Sequence, residues 1–311
     1  MRIRATVAAV TGALALSALA APSAQADSSS YSPDDIKQSV QAAKQAADAR
    51  STYAAADTGT PYALDFTFSN VKVNNGKPIV VGISAQKTVP VTYTVTHGAD
   101  VDLNDYELVF DVDIWRGGTY DEPTNLLYGD DWPTCTSTSS TTATCQGTID
   151  VYPEFELSNA DATTWKIGGY AVDYNGEDPM SDDVNWDNVG VAVQDSLGTT
   201  NLQRLSKLTV NASPEPVKKG KTITVTGKLT RASWETDGNR YVGMPSGQSV
   251  TLQFRKKGTT TYANVKGIKT TTGGYLKTTV TASTDGYYRY VYKGITSTAP
   301  ATATGDFIDV Q

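Results

Sequence analysis

The sequence predicts an all-β protein built as two antiparallel β-sandwiches in tandem, preceded by a signal peptide and a short Ala-rich helical arm. Three observations predict it. Apolar and polar residues alternate with period two from about residue 62 to the end, with turn residues between the runs and no helical period. The composition is rich in Thr, Ser, Gly and Tyr and holds only 3 Met, which suits strands better than helices. The charge divides as two modules would: Thr58 to Gln203 has 22 Asp+Glu against 5 Lys+Arg (−17), and Arg204 to Gln311 has 6 against 16 (+10). Opposite signs on one chain imply either docking of one module on the other or two different partners.

Residues 1–26 have the form of a secretory signal. Arg2 and Arg4 supply a positive start, Ala5 to Ala20 an apolar run, and Pro22 breaks it before the small-residue pattern Ala24-Gln25-Ala26. The run is short for a membrane span, and no Cys follows it for lipid attachment, so the expectation is a secreted, extracellular protein without a membrane anchor. Residues 27–60 form the arm. Ser32, Pro33 and Asp35 make an N-cap, a proline at the first helical position and a capping acid. The helix that follows has only Ile36, Val40 and Tyr53 as sizeable apolar residues, a stripe too thin to hold a core, so the expectation is a flexible or partly helical segment.

Residues 61–197 read as an acidic sandwich of seven short strands. Leu64, Phe66 and Phe68 alternate with polar neighbours, and Asn74-Asn75-Gly76 turns the chain toward Ile79-Val80-Val81. Val89 to His97 alternates again. From Tyr106 to Trp115, Tyr106, Leu108, Phe110, Val112 and Ile114 take one face and Glu107, Asp111 and Asp113 the other. Further strands fit Thr148 to Tyr152, Thr164 to Val172 and Val189 to Val193. Cys135 and Cys145 are the only cysteines; in an oxidising compartment a disulfide is expected, around a Thr/Ser-rich loop without a core of its own. A redox or metal-binding thiol pair would need partners the chain lacks.

Ser196 to Arg204 reads as a short connection, and residues 204–311 as a basic sandwich. Ile223, Val225 and Leu229 alternate around Gly227; Val250, Leu252 and Phe254 do the same; Asp285-Gly286 turns into Tyr288, Tyr290 and Tyr292, all on one face. The segments SKLTVNASPEPVKKGKTITVTGKL, SVTLQFRKKGTTTY and STDGYYRYVYKG resemble the immunoglobulin-like modules of secreted bacterial proteins. NVKVNNGKPIVVG and PVTYTVTH in the first half resemble modules paired with them in exported actinobacterial proteins of unassigned function. The resemblance implies an immunoglobulin-like sandwich, with a Tyr-rich strand after the Asp-Gly turn pinning one sheet to the other. It implies no catalytic residue.

The inventory argues against most catalysis. One histidine, His97, at a strand end and without a G-x-S-x-G segment, leaves no nucleophile-base pair, and one His with two bridged Cys leaves little for zinc. Acid pairs such as Asp121-Glu122 and Asp130-Asp131 are unavoidable in a module of −17, so an enzyme acting on polysaccharide is only the alternative reading. Asp182, Asp183, Asn185 and Asp187 carry oxygen at alternating positions, a calcium candidate, although Asn188 and Gln194 stand where an EF-hand has Gly and Glu. Five Trp, with Trp132 and Trp186 in expected loops, make carbohydrate stacking a second candidate. Lys218, Lys219 and Lys221 with Arg255, Lys256 and Lys257 form basic clusters suited to an anionic cell-wall polymer, to another protein, or to the acidic module of the same chain; no nucleic-acid motif accompanies them. The reading is a non-enzymatic binding or structural protein.

Overall fold

Strand pairing in a computed structural model, which describes residues 23–24, 31–49, 59–235 and 240–311, yields two sandwiches. The expected signal peptide lies outside the described residues, apart from the backbone of Ser23–Ala24, which pairs with the edge of the first sandwich.

In that sandwich one sheet has the order β6 (Thr134–Ser139), β7 (Thr142–Val151), β3 (Lys87–His97), β1 (Phe66–Val73). The other runs β5 (Pro123–Leu127), β4 (Leu108–Gly118), β8 (Thr164–Asp173), β9 (Gly190–Arg204), and β2 (Ile79–Val81) joins β9 in parallel. Four antiparallel strands facing four, with one short segment switching sheets to lie parallel to the last strand, is an immunoglobulin-like arrangement. The inward residues Phe66, Phe68, Val91, Tyr93, Val95, Phe110, Val112, Ile114 and Trp165 close the core between the sheets. Each such side chain contributes roughly 1.5–3 kcal/mol by leaving water.

Cys135 and Cys145 are paired across β6 and β7 and bonded, with Cα atoms 4.1 Å apart. The bridge staples one hairpin within a sheet, so the Thr/Ser stretch expected as a loop is two strands. The residues expected as a connection, 196–204, are also strand: they complete β9.

The second sandwich repeats the plan. Around β12 (Thr222–Ser233) gather β10 (Ser206–Leu208), β11 (Asn211–Ser213), β13 (Arg240–Gly243) and β16 (Tyr275–Thr281). Facing them are β15 (Ala263–Lys269), β14 (Ser249–Lys256), β17 (Gly286–Tyr292) and the short β18 (Ala301–Thr302) and β19 (Asp306–Ile308). Tyr288, Tyr290 and Tyr292 all point inward, as the alternation requires. Tyr290 donates its hydroxyl to the Val225 carbonyl at 2.8 Å, pinning β17 to β12 across the core. Gly227 permits this: a Cβ there would stand 2.9 Å from the Tyr290 ring and 2.3 Å from the Thr209 carbonyl.

The halves meet through apolar and mostly neutral contacts. Trp234, just past β12, is buried in the core of the first sandwich and donates its indole N–H to the Gly82 carbonyl at 2.6 Å. Asn159 bonds Ser233, the Trp234 amide and Arg204. Arg204 ends β9 and its backbone bonds Ser297 and Ala299 of the second sandwich.

The N-terminal segment departs from expectation. Helix α1 (Pro33–Ala49) is well formed, and its capping box is as read: the Ser32 amide and hydroxyl donate to Asp35 at 3.0 and 2.7 Å. It is no loose arm. Ile36, Val40 and Ala43 are fully buried against Val109, Tyr170, Val172, Tyr174, Val184, Val189 and Val191, on the outer face of the β4–β8–β9 sheet. The stripe suffices because two of the sheet's strands carry apolar residues on both faces, so the helix covers a surface that would otherwise be bare. Beneath the helix Asp113 meets Lys44, and Asp113 and its neighbour Asp111 are each 1% exposed.

Candidate functional site: the open basic face of the second sandwich

Along β14 and β17, alternation sends Val250, Leu252, Tyr288, Tyr290 and Tyr292 inward and leaves Gln253, Arg255, Tyr287 and Arg289 on the outer face. Among the described residues no helix or strand covers this face, and Gln253, Arg255, Tyr287 and Arg289 are half-buried by one another and their neighbours. Its cations lie on aromatic rings: the Arg255 guanidinium is 4.2 Å from the Tyr287 centroid and 5.3 Å from Tyr262, Arg289 is 3.7 Å from Tyr262, and Lys257 is 5.3 Å from Phe307. Tyr287 and Phe307 also contact each other, at 5.1 Å between centroids. Arg289 donates to Gln253 at 2.8 Å and Arg255 to the Thr259 carbonyl. Each guanidinium is thus held over a ring and by one hydrogen bond, which leaves it N–H donors for a further partner. A planar cation fixed this way meets a phosphate or carboxylate at little entropic cost.

Both sequence-predicted basic clusters adjoin this face. Arg255 and Lys256 end β14 and Lys257 follows it, while Lys218, Lys219 and Lys221 sit in the turn before β12, and all the lysines are exposed. The two turns are tied to one pole through the chain's C-terminal strand: the Lys219 amide donates to Gln311, Val310 to Asp285, and the Lys257 amide to the Asp285 carbonyl. Asp285 is held below the usual carboxylate range by the Val310 amide and Lys257. This pole is opposite the one bearing Trp234 and Thr298, where the first sandwich attaches. Tyr262, Tyr287, Arg289 and Phe307 escaped sequence reasoning. The alternation around Tyr288 and Tyr290 is the sequence signal for them, since it puts Tyr287 and Arg289 on the outer face.

Other candidates fare differently. Asp187 accepts from the distant Thr60 amide and Asn185 from the Asp187 amide, so these two side chains hold backbone, while Asp182 and Asp183 are exposed and the Asp183 amide donates to the Ser181 hydroxyl. Among the described residues no three His, Cys, Asp or Glu side chains converge as a metal ion requires. Of the five Trp, Trp115, Trp132, Trp165 and Trp234 are buried, the Trp132 indole donating to the Tyr31 carbonyl at 2.7 Å, and Trp186 is half-buried against the cluster under α1, so no two exposed rings form a platform. His97 is 7% exposed, stacks on Phe66 and bonds the Gly98 carbonyl. No helix among the described residues is long and apolar enough to cross a membrane.

The most unusual chemistry lies under α1. Lys44 Nζ is 3.3 Å from Asp113 Oδ2, both side chains 1% exposed. It rests 3.8 Å from the Tyr120 ring centroid and 4.6 Å from that of Tyr170. Burial pushes Lys44 down, against the pull of Asp113, and pushes Asp113 and Asp111 up. The Tyr120 hydroxyl faces Asp113 without closing a hydrogen bond, and Asp113 Oδ1 has no partner.

No protein-family description fits the chain, and no curated protein matches its sequence. Solved structures similar to it include domains A168–A170 of titin, at 9% identity, TM-score 0.22, covering 79% of this chain and 68% of that one. The mouse nectin-like molecule 4 ectodomain, Ig1–Ig3, matches at 10% identity and TM-score 0.22, covering 77% of this chain and 63% of that one. The fold assignment therefore rests on the strand pairing itself.

Proposed function

We propose that the chain is an exported, non-enzymatic binding protein that uses the second sandwich to hold an anionic polymer of the cell wall or its surroundings. The observation that carries this reading is the array of Arg255, Arg289 and Lys257 lying on Tyr262, Tyr287 and Phe307 across an open sheet face. Repeated cations at fixed spacing suit a repeating anion better than a single small one, and rings between them add contact with whatever backbone links the charges. The exposed lysines of the adjoining pole extend the field, and the attached acidic sandwich leaves that pole free. Export is supported by Arg2, Arg4, the apolar run and Ala24-Gln25-Ala26, and by a disulfide that needs an oxidising compartment.

The test is retention of the full-length protein on bacterial wall preparations before and after chemical removal of their phosphate-containing polymers. Retention should vanish on the stripped wall, weaken with salt, and be lost in R255E/R289E. Equal retention of that variant and the wild type would remove the proposal.

A further inference from the structure

The geometry points to a covalent bond: Lys44 and Asp113 are joined by a side-chain amide that the folded chain forms by itself, whatever the basic face binds. The two groups are 69 residues apart in sequence, yet Nζ and Oδ2 stand at 3.3 Å, with each side chain 1% exposed. A second carboxyl, Asp111, is on the same face of β4, two residues and about 7 Å along the strand, and is also 1% exposed. Two oxygens in the site lack partners, Asp113 Oδ1 and the Tyr120 hydroxyl.

An ion pair held this deep is expensive, because both charges have left water while part of the carboxylate has no donor. Burial displaces both Lys44 and Asp113 toward their uncharged forms, which raises the share of molecules in which a free amine faces an un-ionised carboxyl. That combination is reactive: the amine has its lone pair, and the acid has a hydroxyl that can leave as water. The fold holds them in contact, which replaces a bimolecular encounter by a local one.

The step balances without any co-reactant. Lys44 Nζ attacks Asp113 Cγ and the Nζ–Cγ bond forms. Asp111 accepts a proton from the nitrogen and returns one to the departing oxygen. The Cγ–O bond breaks and water is released. The Tyr120 hydroxyl, facing Asp113, donates to the carbonyl oxygen that remains. Asp111 is the carboxyl available for the carrier's role, two residues from Asp113 on β4 and as deeply buried. The product is neutral, so the cost of two buried charges disappears, and α1 is tied permanently to β4.

Mass spectrometry of the full-length protein, denatured and with its disulfide reduced, tests this directly. The expected mass is one water below that required by the sequence, with a branched tryptic peptide joining the segment of Lys44 to that of Asp113. K44R and D113A should have the full masses of their sequences, and D111N should retain an unlinked fraction after long incubation in the folded state. Wild-type protein at full mass, giving two separate peptides, would overturn the bond. D111N linking as completely as wild type would overturn the role of Asp111. The wild-type measurement does not depend on whether any variant folds.

Discussion

The same sheet face is treated in opposite ways in the two sandwiches. In the first, the outer side of β4 and β8 carries Val109, Tyr170 and Val172, and α1 covers it; every residue of β4 from Leu108 to Trp115 is buried. In the second, the equivalent side of β14 and β17 carries Gln253, Arg255, Tyr287 and Arg289 and stays open. One topology thus yields a roofed sheet or a working surface, depending on three or four outward side chains. Apolar outward residues demand a cover, and whatever charge is caught beneath it becomes chemically unusual. Polar and aromatic outward residues leave a surface for a partner.

The comparison is most severely tested at the roof. Ile36→Ala should cost the first sandwich about 2–5 kcal/mol and expose Trp132, read as a lower melting temperature and a red-shifted fluorescence. An unchanged melt would mean that α1 is an ornament on a sheet that needs no cover.

A smaller effect is expected where the first sandwich approaches the second. Asp161 is buried and accepts from the Ser158 amide and hydroxyl, Arg116 and Asn125. Desolvation alone would raise its pKa, but these donors outweigh it and hold it below 3.8. A depressed carboxyl stabilises the fold above its unfolded value and ceases to do so as pH falls through its folded value. Asp161→Asn should therefore cost about 1–3 kcal/mol at neutral pH, and the gap from wild type should close below pH ~4. Denaturant titrations along the pH axis measure it; a gap constant into strong acid would refute the linkage.

The mildest change lies in the second sandwich. Tyr290→Phe removes only the hydroxyl that bonds the Val225 carbonyl and should cost about 0.5–1.5 kcal/mol, leaving wall retention intact. A loss of retention would show that the inner tyrosines and the outer basic face do not act separately.

Much of the second sandwich was legible because its strands alternate cleanly: one buried face and one wet face leave a period that a single strand reveals. The capping box of α1 was legible for a similar local reason, since Ser32 and Asp35 find each other within one turn. What escaped was non-local. Nothing around Asp111 and Asp113 announces a cover, because the cover is a helix some 70 residues earlier whose own apolar stripe is thin. Val109, Tyr170 and Val172 were the available signal, but they count only when β4 and β8 are placed side by side. The ring partners of Arg255 and Arg289 likewise come from three different segments, so a cluster of lysines in sequence drew attention away from them.

β9 carries a final consequence. It begins in the sheet beneath α1 and ends at Arg204, hydrogen-bonded to the second sandwich, with Leu202 to Arg204 also laced to β2. A hinge at that junction would have to tear this ladder and withdraw Trp234 from the neighbouring core. The second sandwich is therefore held to the first by backbone pairing as well as by a buried ring, so the turn that carries Lys256 and Lys257 keeps a set orientation toward the sheet beneath α1.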